Sequence, residues 1–197
     1  IGEWCHPLHT VDINDAGLRS SVQNGILNTE LGIPFRTPAE GHNVAFTSLW
    51  DNYPDSLEIP LKGKASRAYL LMAGSTNHMQ CHIDNGVIRV YYKDGTCDVM
   101  FLRNPDNWPP IEHIFFEDGL AFNRHTPTLY RLRLKTGEIS NNFGEELGFP
   151  GASRELDGGA AVLLEMPLNP GKKLSHLVLE TLSNDVVIGL MSITLQR

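Results

Sequence analysis

Two loops that combine aromatic, amide and carboxyl side chains are the places where this sequence could support chemistry. They span residues 48–54 and 104–113. Aromatic planes stack on the apolar C–H faces of sugar rings, while amides and carboxylates hydrogen-bond sugar hydroxyls. The alternative is that each tryptophan plugs the end of a folded domain. The predicted carbohydrate-binding residues are Trp50, Asp51, Asn52, Tyr53, Asn107, Trp108, Glu112 and His113.

Hydrolysis of a glycosidic bond would need two carboxyl groups that face each other across a cleft. Asp106 and Glu112 are the first pair to test among five candidates: Asp51, Asp106, Glu112, Glu117 and Asp118. The sequence contains no GxSxG elbow, no P-loop and no GxGxxG motif, which removes the usual indicators of acyl transfer, nucleotide binding and hydride transfer. No catalytic residue is assigned on this basis.

Metal-ligating residue types are present, but they do not form a recognised motif. His78 and His82 are four residues apart, a spacing that aligns ligands on a helix, yet a strand and turn are predicted there and would separate them. We therefore predict no metal site and no cofactor. The oxygens of residues 12–15 could bind a structural calcium ion, but the segment lacks the glycine and terminal Glu of an EF-hand loop, which favours capping or a turn. The cysteines are Cys5, Cys81 and Cys97, and they lie too far apart in the sequence for a CxxC metal site. This spacing favours free thiols, and one disulfide bond is the alternative.

Composition and charge narrow the class of protein. The 197 residues are 41% hydrophobic and 20% charged, which predicts one folded domain over residues 1–197. The net charge of −7, without a basic cluster, argues against nucleic acid as a partner. The longest apolar stretch, residues 186–195, is too short to span a bilayer. Because the chain begins at Ile1 without a signal sequence, we expect a mature chain or a fragment of a larger multidomain protein.

Strand-like runs separated by turn signals predict the fold class. A hairpin is predicted from residues 87–92 and 97–102, because Asp94-Gly95 between them supplies the positive φ that a tight turn requires. Short helical turns are predicted at residues 15–22 and 111–116, and long loops at 104–127 and 136–159. The pattern predicts an all-β protein, an antiparallel β-sandwich or jelly roll with long loops and at most short helical turns. The other predicted strands are residues 44–48, 57–61, 67–73, 129–134, 161–167, 174–181 and 186–195.

Several of these segments resemble the galactose-binding-like jelly-roll modules that are appended to bacterial glycosidases. The resemblance lies in residues 59–65, 68–76 and 86–95, and in the closing strands at 174–182 and 188–195. It implies an accessory domain of large, poorly characterised secreted or periplasmic bacterial proteins. Modules of this kind bind sugars through loops at one end of the sandwich, which would include the Trp50 and Trp108 loops. The resemblance carries over no catalytic residue.

Together these observations favour a non-catalytic, carbohydrate-associated module of a polysaccharide-processing protein. Its expected partners are carbohydrate, a neighbouring domain of the same polypeptide, or both. One alternative is a structural or interaction domain whose aromatic loops pack against a catalytic neighbour. A small jelly-roll glycoside hydrolase is the third.

Overall fold

The computed structural model describes residues 13–77, 80–113, 123–143 and 156–197. Strands account for 49% of this part of the chain and helix for 4%, which confirms the predicted all-β class. Among these residues, no helix has the length and apolar character needed to cross a bilayer.

The described elements are one short helix and thirteen strands, which are numbered in chain order. The helix α1 is Ala16–Ser20. The strands are β1 Val22–Gln23, β2 Ile26–Asn28, β3 Pro34–Arg36, β4 Ala45–Ser48, β5 Ser56–Pro60, β6 Arg67–Thr76, β7 Asp84–Tyr92, β8 Cys97–Arg103, β9 Arg131–Arg133, β10 Ile139–Ser140, β11 Ala160–Pro167, β12 Leu174–Thr181 and β13 Val186–Gln196.

Two antiparallel sheets form the sandwich. The larger has the order β10-β9-β11-β6-β13-β4, and the smaller has the order β5-β12-β7-β8. Strand β4 contacts β5 and β12, so the β4 edge of the larger sheet lies over the β5 edge of the smaller one. The strands β8 and β10 therefore lie toward the opposite edge of the sandwich. The interior between the sheets is apolar and includes Leu70, Met72, Ile88, Leu177 and Ile188.

The central strand β6 is buried on both faces, which explains its nearly continuous apolar sequence. Leu70 and Met72 point into the sandwich, whereas Leu71 and Ala73 belong to a second apolar cluster on the outer face of the larger sheet. This division follows from the two-residue side-chain period of a strand. The covering layer consists of α1 and a small third sheet, β1-β2-β3, whose buried residues include Leu18, Leu27 and Phe35.

Most predicted strands are confirmed to within a few residues. The hairpin between β7 and β8 forms with Tyr91 opposite Cys97 and with Gly95 at φ 84°. Helix α1 lies inside the predicted turn at 15–22. In the other predicted helical turn, residues 111–113 form no helix, and 114–116 lie outside the described residues.

The short strands β1, β2, β3 and β10 were not predicted. A signal for the first hairpin was nevertheless present, because Asn24-Gly25 joins β1 to β2 with φ 53° and 75°. Two consecutive positive φ angles are typical of the tight turns that Asn-Gly favours.

The antiparallel register divides the connections between the two ends of the sandwich. We call one end the loop end. It carries the described parts of the connections at 49–55, 77–83, 104–130 and 182–185. The other is the turn end, which carries the shorter connections at 61–66, 93–96 and 168–173.

Candidate functional site

Both tryptophan loops lie at the loop end, but they leave from opposite edges of the sandwich. Strand β4 ends at Ser48, opposite Val187 near the start of β13. Strand β8 ends at Arg103, opposite Asp84 at the start of β7. Because β4 and β8 are edge strands on opposite sides, the two loops begin at separate edges of the sandwich.

The Trp50 loop presents a pair of aromatic rings beside two exposed polar side chains. The Trp50 and Tyr53 rings are both half-buried, with centroids 6.4 Å apart and planes at 53°. Tyr53 makes an edge contact with Phe46 of β4, at 6.2 Å and 81°. Asp51 and Asn52 are exposed between the two rings in the sequence. The aromatic side chains are thus anchored on the sheet, and the carboxylate and amide face solvent.

Local hydrogen bonds hold this loop in one conformation. The Tyr53 N–H donates to the Trp50 carbonyl at 3.0 Å, and the Ser48 N–H donates to the Pro54 carbonyl at 3.1 Å. The Trp50 N–H donates to the Ser48 hydroxyl at 3.3 Å. The hydroxyl in turn donates to the Val186 carbonyl at 2.7 Å, which ties the loop to β13.

Trp108 belongs to the core and not to the surface. Its side chain is only 1% exposed and lies in the apolar interior of the sandwich. A Cβ placed on Gly74 would lie 2.5 Å from Cζ2 of the indole, so the missing side chain at Gly74 makes room for the ring. A buried ring cannot stack on a sugar. This corrects the predicted binding role and leaves the alternative, in which Trp108 closes the end of the domain.

Both polar atoms of the Asn107 side-chain amide form hydrogen bonds within the turn that follows β8. Its Oδ1 accepts the Arg103 N–H at 2.7 Å, and its Nδ2 donates to the Phe101 carbonyl at 2.8 Å. The Trp108 N–H also donates to the Arg103 carbonyl, at 3.1 Å. These contacts shape the turn, so the predicted ligand-binding role of Asn107 is replaced by a structural one.

Glu112 and His113 adjoin a buried arginine. Glu112 is 1% exposed and His113 is half-buried, with Nε2 lying 3.9 Å from Glu112 Oε1. Nη2 of Arg131 donates to the carbonyls of Pro110, Ile111 and Ala160, each at 3.0 Å, and Nη1 donates to the His113 carbonyl. Burial lowers the pKa of Arg131 to about 10, and the negative charge of Glu112 acts in the opposite direction. The two predicted site residues thus belong to a buried polar network that fixes the 104–113 segment.

The carboxyl groups considered for hydrolysis are not arranged as a facing pair among the described residues. Asp51 lies on the loop next to β4, Asp106 lines a cleft on the other side, and Glu112 is buried. Glu117 and Asp118 lie outside the described residues.

A polar cleft of about 160 Å³ separates the start of the 104–130 connection from the residues that follow β10. Sequence reasoning missed it, because four of its eleven lining residues, 140–143, come from the stretch that was predicted to be a solvated loop. Its polar lining consists of Asp106, Arg124, Thr128, Arg131, Ser140, Asn141 and Asn142.

Three potential metal ligands meet at the loop end, although the sequence predicted no metal site. His82, Asp106 and His125 each offer one ligand atom, and these atoms all lie within 4.8 Å of one another. The residues come from three separate parts of the sequence, so no motif could have revealed them. His78, the other histidine considered for zinc, lies outside the described residues.

The segment considered for calcium makes capping and pairing contacts in its described part. Asn14 Oδ1 accepts the Ala16 N–H at 3.0 Å, and the Asp15 carboxylate accepts hydrogen bonds from Arg19 and Asn43 at 2.9 and 3.0 Å. Burial raises the pKa of Asp15, but these hydrogen bonds and the charge of Arg19 outweigh it and bring the pKa below its usual value. Asp12 lies outside the described residues.

Cys97 is an exposed thiol on β8, and Cys81 Sγ accepts a hydrogen bond from Asn104 Nδ2 at 3.6 Å. The third, Cys5, lies outside the described residues.

The fold defines the chain as a two-sheet antiparallel β-sandwich with an outer helix-and-hairpin layer. Comparison with protein-family models, with curated proteins and with solved structures gave no match.

Proposed function

We propose that this protein is a non-catalytic carbohydrate-associated module that binds sugar at the Trp50 loop. The observation that carries this proposal is the half-buried Trp50–Tyr53 ring pair beside exposed Asp51 and Asn52. The rings supply an apolar surface on which a sugar ring can stack. The Asp51 carboxylate can accept hydrogen bonds from sugar hydroxyls, and the Asn52 amide can both accept and donate them. Trp108, Asn107, Glu112 and His113 are not part of this site.

The loop is suited to binding because it is already ordered. Two backbone–backbone hydrogen bonds, the bond from the Trp50 N–H to the Ser48 hydroxyl and the Phe46–Tyr53 edge contact fix the loop before a ligand arrives. Binding therefore loses little side-chain conformational entropy, whereas this loss is large at flexible sites. A single stacked ring contributes about 1 kcal/mol beyond its buried area, so we expect a dissociation constant nearer millimolar than nanomolar.

The test is a titration of the protein with a panel of neutral and acidic oligosaccharides, followed by calorimetry or NMR. We expect at least one saturating ligand, a loss of affinity of about tenfold in Trp50→Ala, and a smaller loss in Asn52→Ala. Phe101→Ala is the matched control, because Phe101 is an aromatic residue with 41% exposure on β8, away from the loop. Equal affinities for Trp50→Ala and the unaltered protein would disprove the assignment, and so would the absence of any saturating ligand.

A second candidate function, docking onto a neighbouring domain, has its own supporting observation. Leu49, Ile83 and Leu182 are large apolar residues of the loop end with 37%, 48% and 38% exposure. The backbones of Ile83 and Leu182 are both bonded to Asn85: its Nδ2 donates to the Ile83 carbonyl at 3.2 Å, and the Leu182 N–H donates to its carbonyl at 2.9 Å. Exposed apolar groups that cluster in this way are typical of protein contacts.

The double variant Ile83→Asp/Leu182→Asp separates the two functions. Sugar binding at the Trp50 loop would keep its affinity in this variant. Docking would be weakened, which hydrogen exchange of residues 80–85 and 182–185 would report in the polypeptide that carries the domain. Unchanged exchange in these segments would count against docking.

A further inference from the structure

We propose that His82, Asp106 and His125 bind a divalent transition-metal ion, of which Zn²⁺ is the best representative. One nitrogen from each imidazole and one carboxylate oxygen lie within 4.8 Å of one another. Two imidazoles and a carboxylate are a donor set that suits zinc and its neighbours in the first transition series, whereas calcium and magnesium prefer oxygen ligands alone.

The distances are close to those that a bound ion requires. A tetrahedral Zn²⁺ ion with ligands at about 2.0–2.2 Å holds its donor atoms roughly 3.3–3.6 Å apart. His125 Nδ1 lies 3.6 Å from Asp106 Oδ2. The rings of His82 and His125 lie side by side, with centroids 4.7 Å apart and planes at 44°. The His125 side chain is 64% exposed, so a small rotation that completes the coordination would disturb no packing.

Contacts around the ligands hold their backbones near the metal position. Asp106 Oδ1 accepts the His125 N–H at 2.7 Å, which directs Oδ2 toward the imidazole. The Asp106 carbonyl accepts the Thr126 hydroxyl at 2.7 Å. The His82 N–H donates to the Asn104 carbonyl at 2.7 Å, which joins the 80–83 segment to the turn that contains Asp106. Such outer contacts orient metal ligands and strengthen binding.

A surface ion pair explains this arrangement less well than a metal site does. An ion pair with one well-exposed partner, such as His125 with Asp106, contributes little in solution, and it requires no second imidazole. Arg103, whose positive charge interacts with Asp106, is paired with Asp84 through Nε. A metal ion would use the Asp106 carboxylate and both imidazoles at once.

The ion would join three segments of the loop end and keep at least one coordination position open. Three protein ligands leave a fourth position for water or for an oxygen atom of another molecule. Asp106 also lines the polar cleft, together with Arg124 and Asn141. A small molecule with hydroxyl or carboxylate groups in this cleft is therefore the chemical class that would complete the coordination.

The test is a calorimetric titration of chelator-treated protein with ZnCl₂ at neutral pH. We expect saturable binding, with a loss of affinity of about tenfold or more in His82→Ala, in His125→Ala and in Asp106→Asn. Asp106→Asn keeps the oxygen that accepts the His125 N–H, so the fold of the turn is preserved. His42→Ala is the control, because His42 is an exposed histidine outside the cluster, and its affinity should equal that of the unaltered protein.

Imidazole NMR signals separate this site from binding elsewhere on the chain. On addition of Zn²⁺, the signals of His82 and His125 should shift, and those of His42 and His176 should stay in place. The melting temperature should rise by about 5–10 °C when free Zn²⁺ exceeds the dissociation constant a hundredfold. Undiminished affinity in the His82→Ala/His125→Ala double variant would overturn the proposal, as would unshifted signals of these two residues.

Discussion

The two ends of the sandwich use their polar side chains in different ways. At the turn end, Lys172 pairs with Asp94 at 3.0 Å and donates to Thr96 at 2.7 Å. The Tyr92 hydroxyl donates to Asp98, and burial together with this hydrogen bond raises the pKa of Tyr92 to about 12. These side chains form their hydrogen bonds and ion pairs with one another. We call His82, Asp106 and His125 the histidine–aspartate cluster. At the loop end, the Trp50 loop and the two imidazoles of this cluster face solvent instead.

The difference teaches how the fold divides stability from recognition. Short turns keep donors and acceptors within reach of each other, and their hydrogen bonds close the hairpins. Longer connections carry side chains beyond the sheets, where they can meet ligands. The loop end itself has two layers, because Trp108 and Arg131 form a buried layer beneath the exposed groups. Substitutions in the buried layer should therefore lower the stability more than substitutions in the exposed layer.

The largest effect is expected for Trp108→Ala. Removal of a buried indole leaves a cavity in the core, which should lower the free energy of unfolding by about 3–5 kcal/mol. Trp50→Ala is the matched variant at an exposed tryptophan loop, and its cost should stay below about 1 kcal/mol. Urea unfolding followed by circular dichroism measures both. Equal losses in the two variants would contradict the placement of Trp108 in the core and Trp50 at the surface.

Arg131→Met should have the next largest effect. The change removes one hydrogen-bond donor from each of four backbone carbonyls and takes away the positive charge that interacts with Glu112, at a cost of about 2–4 kcal/mol. Arg67→Met is the control, because Arg67 forms an exposed ion pair with Glu165 and should change the stability by less than about 1 kcal/mol. Thermal or urea unfolding tests both. A loss in Arg131→Met no larger than that in Arg67→Met would disprove the anchoring role.

Asp15→Asn should have a smaller effect that depends on pH. Because the folded state lowers the pKa of Asp15, the ionised carboxylate stabilises the fold at pH values above its ordinary pKa of about 3.8, and this contribution disappears as the pH falls below that value. We expect a loss of about 1 kcal/mol at neutral pH and a vanishing difference at strongly acidic pH. Urea titrations across this range measure the difference. Asp157→Asn is the control for the loss of a surface carboxylate, because its side chain is 69% exposed, and it should change the stability at neutral pH by less than about 0.5 kcal/mol.

The framework of the fold was predictable because its signals are local. Runs rich in Val, Ile, Leu and Tyr predicted β6, β7, β12 and β13, and Asp94-Gly95 predicted the hairpin turn. The first hairpin also had a local signal in Asn24-Gly25. Its strands are only two or three residues long and their alternation is too short to recognise, so they were missed.

The site was less predictable because its determinants are distant in sequence. The direction of the Trp108 ring depends on the missing side chain at Gly74, and the polar partner of Glu112 comes from β9. Residue type alone made both look like ligand-binding groups. The histidine–aspartate cluster likewise exists only once three connections meet at one end.

The central claim, that recognition resides in the exposed layer of the loop end, is tested most directly by backbone NMR. The protein would be titrated with the oligosaccharide that binds best, and amide shifts would be followed along the chain. We predict that the largest shifts fall within residues 49–55 and vanish in Trp50→Ala. Shifts centred on the turn end, at residues 93–96 and 168–173, would contradict the account.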